Sequence, residues 1–310
     1  MRFLFTTFAW SSHYYPMVPL GWALQAAGHE VRVATTPSLV DAVVTTGLPA
    51  VAVGKDIDIV GRAGSGKLHD HERWPTDRDK VSCAEDRPSA WIDPCPPSMR
   101  VPGQTTAPRL PVRYVPYNAP GALPAWLIEP PTRPRVCITW GISTVRMIGD
   151  AVTGPLSRVV EAVSALGVDV VLAVSAATRA ALGTVPDGVR VAESLPLHLL
   201  LPSCRAIVHQ GGVGTALTAG VYAVPQLTVT QFSDQMAVGD VLAAGGAGRH
   251  LLHDEATVER ITSHVLGLLD DQECLQAAKL LQREIVSQPA PAALVPRLVQ
   301  LAGLRASPRA

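Results

Sequence analysis

The sequence predicts an α/β protein made of two doubly wound parallel-sheet halves, the first of them incomplete. Three observations carry that prediction. Short apolar strand segments alternate with helix-length segments over residues 2–53. The same alternation returns over 135–302 and runs through a full set of units. Between them lies a stretch with little periodicity and many prolines. The chain has 310 residues, which at roughly 150 residues per domain gives about two domains.

In the first half, Arg2–Phe8 alternates like a short strand. One Arg is its only positive charge and no small-residue cleavage site follows, so it reads as a buried first strand rather than a leader. Tyr15–Ala27 is a helix stopped at Gly28, Glu30–Thr36 a Val-rich strand, Pro37–Thr46 a helix and Pro49–Val53 a third strand. The pattern then ends. Residues 94–134 contain twelve prolines. Proline fixes φ and cannot donate to a ladder, so this segment is expected to be a linker or extended strap.

In the second half, Arg135–Trp140, Asp169–Val174, Val189–Ala192, Arg205–His209 and Gln226–Thr230 read as strands. Ala151–Leu166, Ala176–Leu182, Leu197–Leu201, Gly212–Tyr222, Asp234–Ala244, Thr257–Leu269, Gln272–Ser287 and about 292–302 read as helices. The expected layout is 1–92, an incomplete first domain; 93–134, a proline-rich linker; and 135–310, a complete α/β domain.

Composition narrows the function. Apolar residues are 47%, charged residues 17% and the formal net charge is zero. Low charge with ample apolar content excludes a disordered chain. It also excludes a general nucleic-acid binder, which needs a basic face. No run approaches the roughly 20 apolar residues that span a bilayer. Five scattered cysteines with no CxxC pair suggest neither a disulfide framework nor a zinc site. A cytoplasmic protein is expected.

The strongest local motif is Ile207–Thr215, a buried strand running into "HQGGVGT" and then a helix. The first amides of that helix have no partner inside it and favour an anion. His209 is placed to donate, the glycines admit a diphosphate, and Thr215 adds a hydroxyl. The other reading is a Gly-rich turn chosen for packing. Asp234 and Gln235 follow the next strand and suit a polyhydroxylated sugar, or else belong to a helix cap. Gly141–Thr144, with Ser143, either contacts phosphate or turns the chain. Leu195–His198 either presents a flat base with backbone groups or places Pro196 at a helix start. His13, past the first strand, either takes a proton from a hydroxyl or caps a helix. Gly61–Lys67 matches G-x-x-x-x-G-K, but Leu68 stands where a P-loop needs Ser or Thr, and His69-Asp70-His71 fits no metal spacing; both read as solvated loop.

"HQGGVGT", "VPQLTVTQFSDQ" and "LPLHLLLPSCRAIVH" together resemble the C-terminal domain of antibiotic glycosyltransferases of the GT-B fold, which has two Rossmann-like domains. The N-terminal run from Phe8 to Gly54 and the linker segments "PPSMRVP" and "PVRYVPYNAPGALPAWL" resemble the macrolide and aminosugar branch, such as desosaminyl and mycaminosyl transferases. The resemblance implies that His209, Gly211, Gly212, Gly214, Thr215 and Ser143 hold the diphosphate of a dTDP-sugar. It implies that Asp234 and Gln235 hold the sugar, that Leu195 and Leu197 flank the base, and that His13 deprotonates an acceptor hydroxyl. Attack would invert the anomeric carbon of a deoxysugar bound for a polyketide or macrolide aglycone. It implies no metal and no cofactor beyond the donor. A helper resembling a cytochrome P450 without its haem ligand serves members of this branch, and a homodimer is compatible with it. Two departures stand out. Thr230 replaces the usual Pro of the "PQ" pair, and about three βα units are missing between about Trp91 and Pro96. Those units would build much of the acceptor pocket and carry the acidic partner of the catalytic His. The alternative reading is an impaired remnant or helper that binds nucleotide or a full-length transferase; a third is a nucleotide-sugar epimerase on the same fold.

Overall fold

The computed structural model describes residues 1–56, 88–100, 107–141 and 153–306. They divide into two compact units. One comprises the described residues within Met1–Pro94, Pro102–Arg113 and Gln288–Ala310; the other comprises those within Cys95–Val101 and Tyr114–Ser287. These units do not follow the boundaries expected from sequence. The proline-rich stretch is shared between them, and the last helix, Pro291–Ala306, packs with the helix Val18–Ala26 of the first unit.

The first unit holds β1 (Arg2–Thr6), β2 (Glu30–Thr35) and β3 (Ala50–Ala52), all parallel and ordered β1-β2-β3. Val31, Val33, Leu24, Leu39 and Val43 form its core. Gly28, at φ +81°, turns the chain from the helix into β2, a conformation that favours glycine. The expectation of a buried β1 is corrected. Phe3 and Phe5 are half-buried, whereas Leu4 is 64% exposed. In a doubly wound sheet the first strand is central, with further units on its other flank. Here, among the described residues, β1 pairs only with β2 and forms an edge.

The proline-rich stretch is more ordered than a strap. β4 (Trp91–Asp93) and β5 (Arg109–Pro111) make a parallel pair. Proline cannot donate, but its carbonyl accepts: Trp91 N–H bonds Pro108 O at 2.8 Å. The Arg109 guanidinium, 2.7 Å from Asp93, ties the pair together.

The second unit carries β6 (Arg135–Thr139), β7 (Asp169–Val174), β8 (Val189–Glu193), β9 (Ala206–His209), β10 (Gln226–Thr230) and β11 (Gly248–Leu252). All run parallel in the order β11-β10-β9-β6-β7-β8. Every residue of β6, β9 and β10 is buried, as a sheet covered on both faces requires. The strand order reverses between β6 and β9, so a crevice for ligands lies at their carboxyl ends. β11 was not expected from sequence; Gly248, Arg249 and His250 lack the apolar run of the other strands, and it lies at an edge.

Residues 114–128 fasten this unit from outside. Tyr114 Oη donates to Gly214 O at 3.2 Å, and Asn118 Nδ2 to Thr218 Oγ1 at 3.3 Å. Asn118 Oδ1 accepts the His198 amide at 3.1 Å. The Arg135 and Arg190 guanidinium groups lie over the Trp126 ring, 5.3 and 4.6 Å from its centroid. Among the described residues no helix is long and apolar enough to cross a membrane.

The edge position of β1 is testable by urea unfolding followed through Trp22. Replacing fully buried Leu24 by Ala is expected to cost about 2–5 kcal/mol. Leu4→Lys is expected to change stability by no more than about 0.5 kcal/mol. A loss comparable to that of Leu24→Ala would show that β1 is covered.

Candidate functional site

At the crevice between β6 and β9 the chain turns through Gln210, Gly211 and Gly212 into the helix Val213–Val221. Gly212 is the residue before the helix and supplies no side-chain cap. The amides of Val213, Gly214 and Thr215 therefore open the helix toward the crevice, at its positive end. Gly211 is in the left-handed region at φ +93°. A Cβ there would lie 2.9 Å from both the Gln235 carbonyl and Thr230 Cγ2, so this position is closed to side chains for two independent reasons.

His209 organises the turn from beneath. The ring is fully buried. Its Nδ1 accepts the Gly211 N–H at 3.1 Å, and its Nε2 lies 3.0 Å from Gln226 Oε1. Gln226 Nε2 donates to Ala216 O at 3.1 Å, which fixes the amide with its oxygen toward the ring. The imidazole is thus neutral with its proton on Nε2. Burial draws its pKa down to about 4, against a smaller opposing effect of the Gln226 bond. The donor role expected for His209 is corrected here: both nitrogens are spent inside the protein, and the ring shapes the turn instead of reaching into the crevice.

Gln210 was not among the residues chosen from sequence. It is 5% exposed, and its Oε1 has no partner among the described residues. A Cβ at Gly212 would meet its Nε2 at 2.8 Å, and Gly141, at the end of β6, lies against the same group. A carboxamide thus fills the gap between the two strands where their order reverses. Only the presence of a long polar residue inside the Gly turn signalled it. Ser143, expected near this point, lies outside the described residues, as do Gly61–Lys67 and His69–His71.

The next strand ends at Thr230 and leads into the helix Ser233–Ala244. Asp234 is exposed in its first turn. Neither Ser233 nor Asp234 caps this helix. Gln235 does so from the third position, its Oε1 accepting the Gln231 and Phe232 amides at 3.1 and 3.4 Å. Beside this loop a cleft of about 560 Å³ is lined by Gln231, His253, Asp254, Thr257 and Glu259, with Arg158 bonded to the carbonyls of His253 and Ala256. Gln231 Oε1 is buried there without a partner among the described residues. Leu195 and Leu197 are half-buried and, like Trp126, pack against the buried cluster that includes Leu127, Leu200 and Ile207.

His13 belongs to the first unit. It sits within a helical turn, Ser11–Tyr14, rather than in an open loop after β1. Tyr14 anchors the turn, fully buried with its hydroxyl 2.7 Å from Thr46 Oγ1. The His13 ring meets Phe8 edge-on, centroids 5.2 Å apart, with Trp10 at 6.4 Å. It remains exposed overall, yet partial burial lowers its pKa from 6.5, so it is largely neutral at pH 7. Among the described residues no carboxylate is paired with it.

Residues 22–69 and 71–141 match the erythromycin biosynthesis protein CIII-like N-terminal domain, and residues 157–301 its C-terminal domain. The chain is 31% identical to 10-deoxymethynolide desosaminyltransferase of Streptomyces venezuelae, covering all of this chain and 99% of that protein. It is 33% identical to L-demethylnoviosyl transferase of Streptomyces niveus, over 94% of this chain and 96% of that one. Among solved structures, spinosyn forosaminyltransferase superposes with a TM-score of 0.82 at 30% identity, covering 98% of this chain and 99% of that chain. Spinosyn rhamnosyltransferase complexed with thymidine diphosphate gives 0.78 at 31% identity, covering 96% and 100%. The N-terminal domain is shorter than in these relatives: the alignment to the desosaminyltransferase runs over 426 positions, against 310 residues here. The chain belongs to the erythromycin biosynthesis protein CIII-like family and is a glycosyltransferase of the GT-B fold.

Proposed function

We propose that the protein moves a deoxysugar from a dTDP-sugar to a hydroxyl of a polyketide or macrolide aglycone, with inversion at the anomeric carbon. The observation that carries this reading is the uncapped helix N-terminus at the crevice between β6 and β9, flanked by the Gln210 carboxamide, whose oxygen has no partner among the described residues. The amides of Gly212, Val213, Gly214 and Thr215, with the Thr215 hydroxyl, take the diphosphate, each contact contributing ~0.3–1 kcal/mol. Leu195 and Leu197 flank the thymine. Asp234, with the Gln231 carboxamide oxygen, accepts from sugar hydroxyls. His13 removes the acceptor proton as the oxygen attacks, and the helix dipole offsets charge on the departing diphosphate. The relatives' names support the class of donor and acceptor.

A second reading has its own support. Among the described residues the first sheet has three strands, β1 is its edge, and no carboxylate is paired with His13. On that reading the protein binds nucleotide and works as a non-catalytic remnant or helper of a full-length transferase. Mass-spectrometric assay of transfer from dTDP-deoxysugars to macrolide aglycones, beside calorimetric titration of dTDP, separates the two. Transfer supports the enzyme, binding without transfer supports the helper, and absence of binding removes both.

Four results are expected. Gly211→Ala abolishes measurable dTDP binding or weakens it at least ~10-fold, since strain of ~1–3 kcal/mol falls on the turn. Gly214→Ala is mild, because a Cβ there meets only Tyr114 Oη at 3.9 Å; equal effects of the two in titration would contradict the geometry. His13→Ala lowers kcat by ~10²–10⁴-fold and leaves dTDP affinity unchanged. Acid weakens the donor unit through His209. Its folded pKa of about 4 lies below the unfolded 6.5, so the unfolded chain binds the extra proton. Stability is full above pH 6.5 and falls toward pH 4, by about 3 kcal/mol at most. Denaturant unfolding at pH 7 and pH 4.5 reads this slope, and His209→Gln removes it.

A further inference from the structure

The donor turn is connected to the protein surface by a line of side chains that the reaction above does not use. Thr230 ends β10 and is fully buried. Its Oγ1 lies 2.7 Å from His250 Nε2, and His250 Nδ1 lies 2.9 Å from Asp240 Oδ1. The His250 side chain is 12% exposed and that of Asp240 73%. A carboxylate only accepts, so Nδ1 carries a proton; in the neutral ring Nε2 then accepts from the Thr230 hydroxyl. With the hydroxyl held on that side, the χ1 of a β-branched residue is fixed and its methyl has one direction left. That direction is the turn: Cγ2 stands 2.9 Å from where a Gly211 Cβ would be.

The surroundings are shaped for this arrangement. Gly239, in the helix Ser233–Ala244, faces the ring. A Cβ there would lie 2.6 Å from His250 Cδ2 and 2.8 Å from Thr228 Oγ1. Glycine at 239 is what allows an imidazole to lie between this helix and β11. Thr228 and His250 are direct partners in the β10–β11 register, which brings His250 onto the same sheet face as Thr230, two residues along.

We propose that Asp240 and His250 are positioning residues that hold Thr230 against Gly211 and thereby set the backbone of the diphosphate turn. The chain of action runs from Asp240 through the ring tautomer to the Thr230 rotamer, and from its methyl group to Gly211, whose N–H is in turn held by His209. The inference rests on the donor-site reading of that turn.

The test is calorimetric titration of thymidine diphosphate into the full chain and its Asp240→Ala, Asp240→Asn and Thr230→Val variants. Asp240 is exposed, so its replacement is compatible with folding. Asp240→Ala is expected to weaken binding roughly three- to tenfold, the worth of one hydrogen bond. Asp240→Asn, whose amide oxygen still accepts from Nδ1–H, recovers most of that loss. Thr230→Val, equal in shape, weakens binding as Asp240→Ala does. In nitrogen-15 spectra the His250 ring shows the Nδ1–H tautomer in the parent chain and a tautomer mixture in Asp240→Ala. Where turnover is measurable, donor KM rises and acceptor KM does not. Unchanged affinity in both Asp240→Ala and Thr230→Val overturns the positioning role. A parent chain that fails to bind thymidine diphosphate is a separate outcome: it removes the donor-site reading, and the function of the relay with it.

Discussion

A backbone N–H given to a buried, neutral imidazole is the interaction on which the second unit depends. His209 ends β9 and points into the protein, where Gln226 fixes its tautomer and leaves Nδ1 to accept from Gly211. That bond holds Gly211 in its left-handed conformation. It also satisfies the Gly211 amide inside the protein. Everything at the crevice follows. The helix begins without a cap, the Gln210 side chain lies across the gap to β6, and the loop after β10 closes over Gly211 through Thr230 and Gln235. A charged imidazole could not keep this arrangement, because Nδ1 would become a second donor facing a donor.

The features legible in the sequence are those with local causes. The Gly turn after β9 could be read because strand, glycines and helix lie within nine residues, 207–215. The six-stranded sheet was legible through β10 because a fully covered parallel strand is a plain apolar run. β11 was not, since an edge strand carrying Gly, Arg and His has no such signature. The direction of His209 was also out of reach. Its alternation with Val208 places it on one face of the sheet, but what it meets there is Gln226 of a neighbouring strand, and that pairing is a matter of register. Gln210 and Gln235 share this difficulty. One acquires meaning from Gly141 across the sheet, and the other bends back on its own loop instead of facing outward. The family resemblance supplied the roles that no local rule could have given.

The first unit shows how a rule can be right and its application too strict. Proline is indeed barred from donating, yet β4 and β5 pair through a proline carbonyl. The apolar N-terminal segment is indeed a strand, yet with no strand on its outer flank among the described residues it presents Leu4 to solvent. The turn carrying His13 is nonetheless firmly placed, through Tyr14, its bond to Thr46, and the Trp22 indole that donates to the Thr46 carbonyl at 2.8 Å.

The helix mouth beside Gly212 has a consequence for the medium in which the protein works. The groups assigned there are amides, a carboxamide and a hydroxyl, and His209 beneath them is uncharged. Attraction built from short-range dipoles inside a crevice acts well within the ~8 Å over which mobile ions at physiological concentration damp a field. On the proposed donor-site reading, nucleotide capture by such a mouth depends less on ionic strength than capture by a ring of lysines and arginines does, and the chain's zero formal charge adds no net long-range pull.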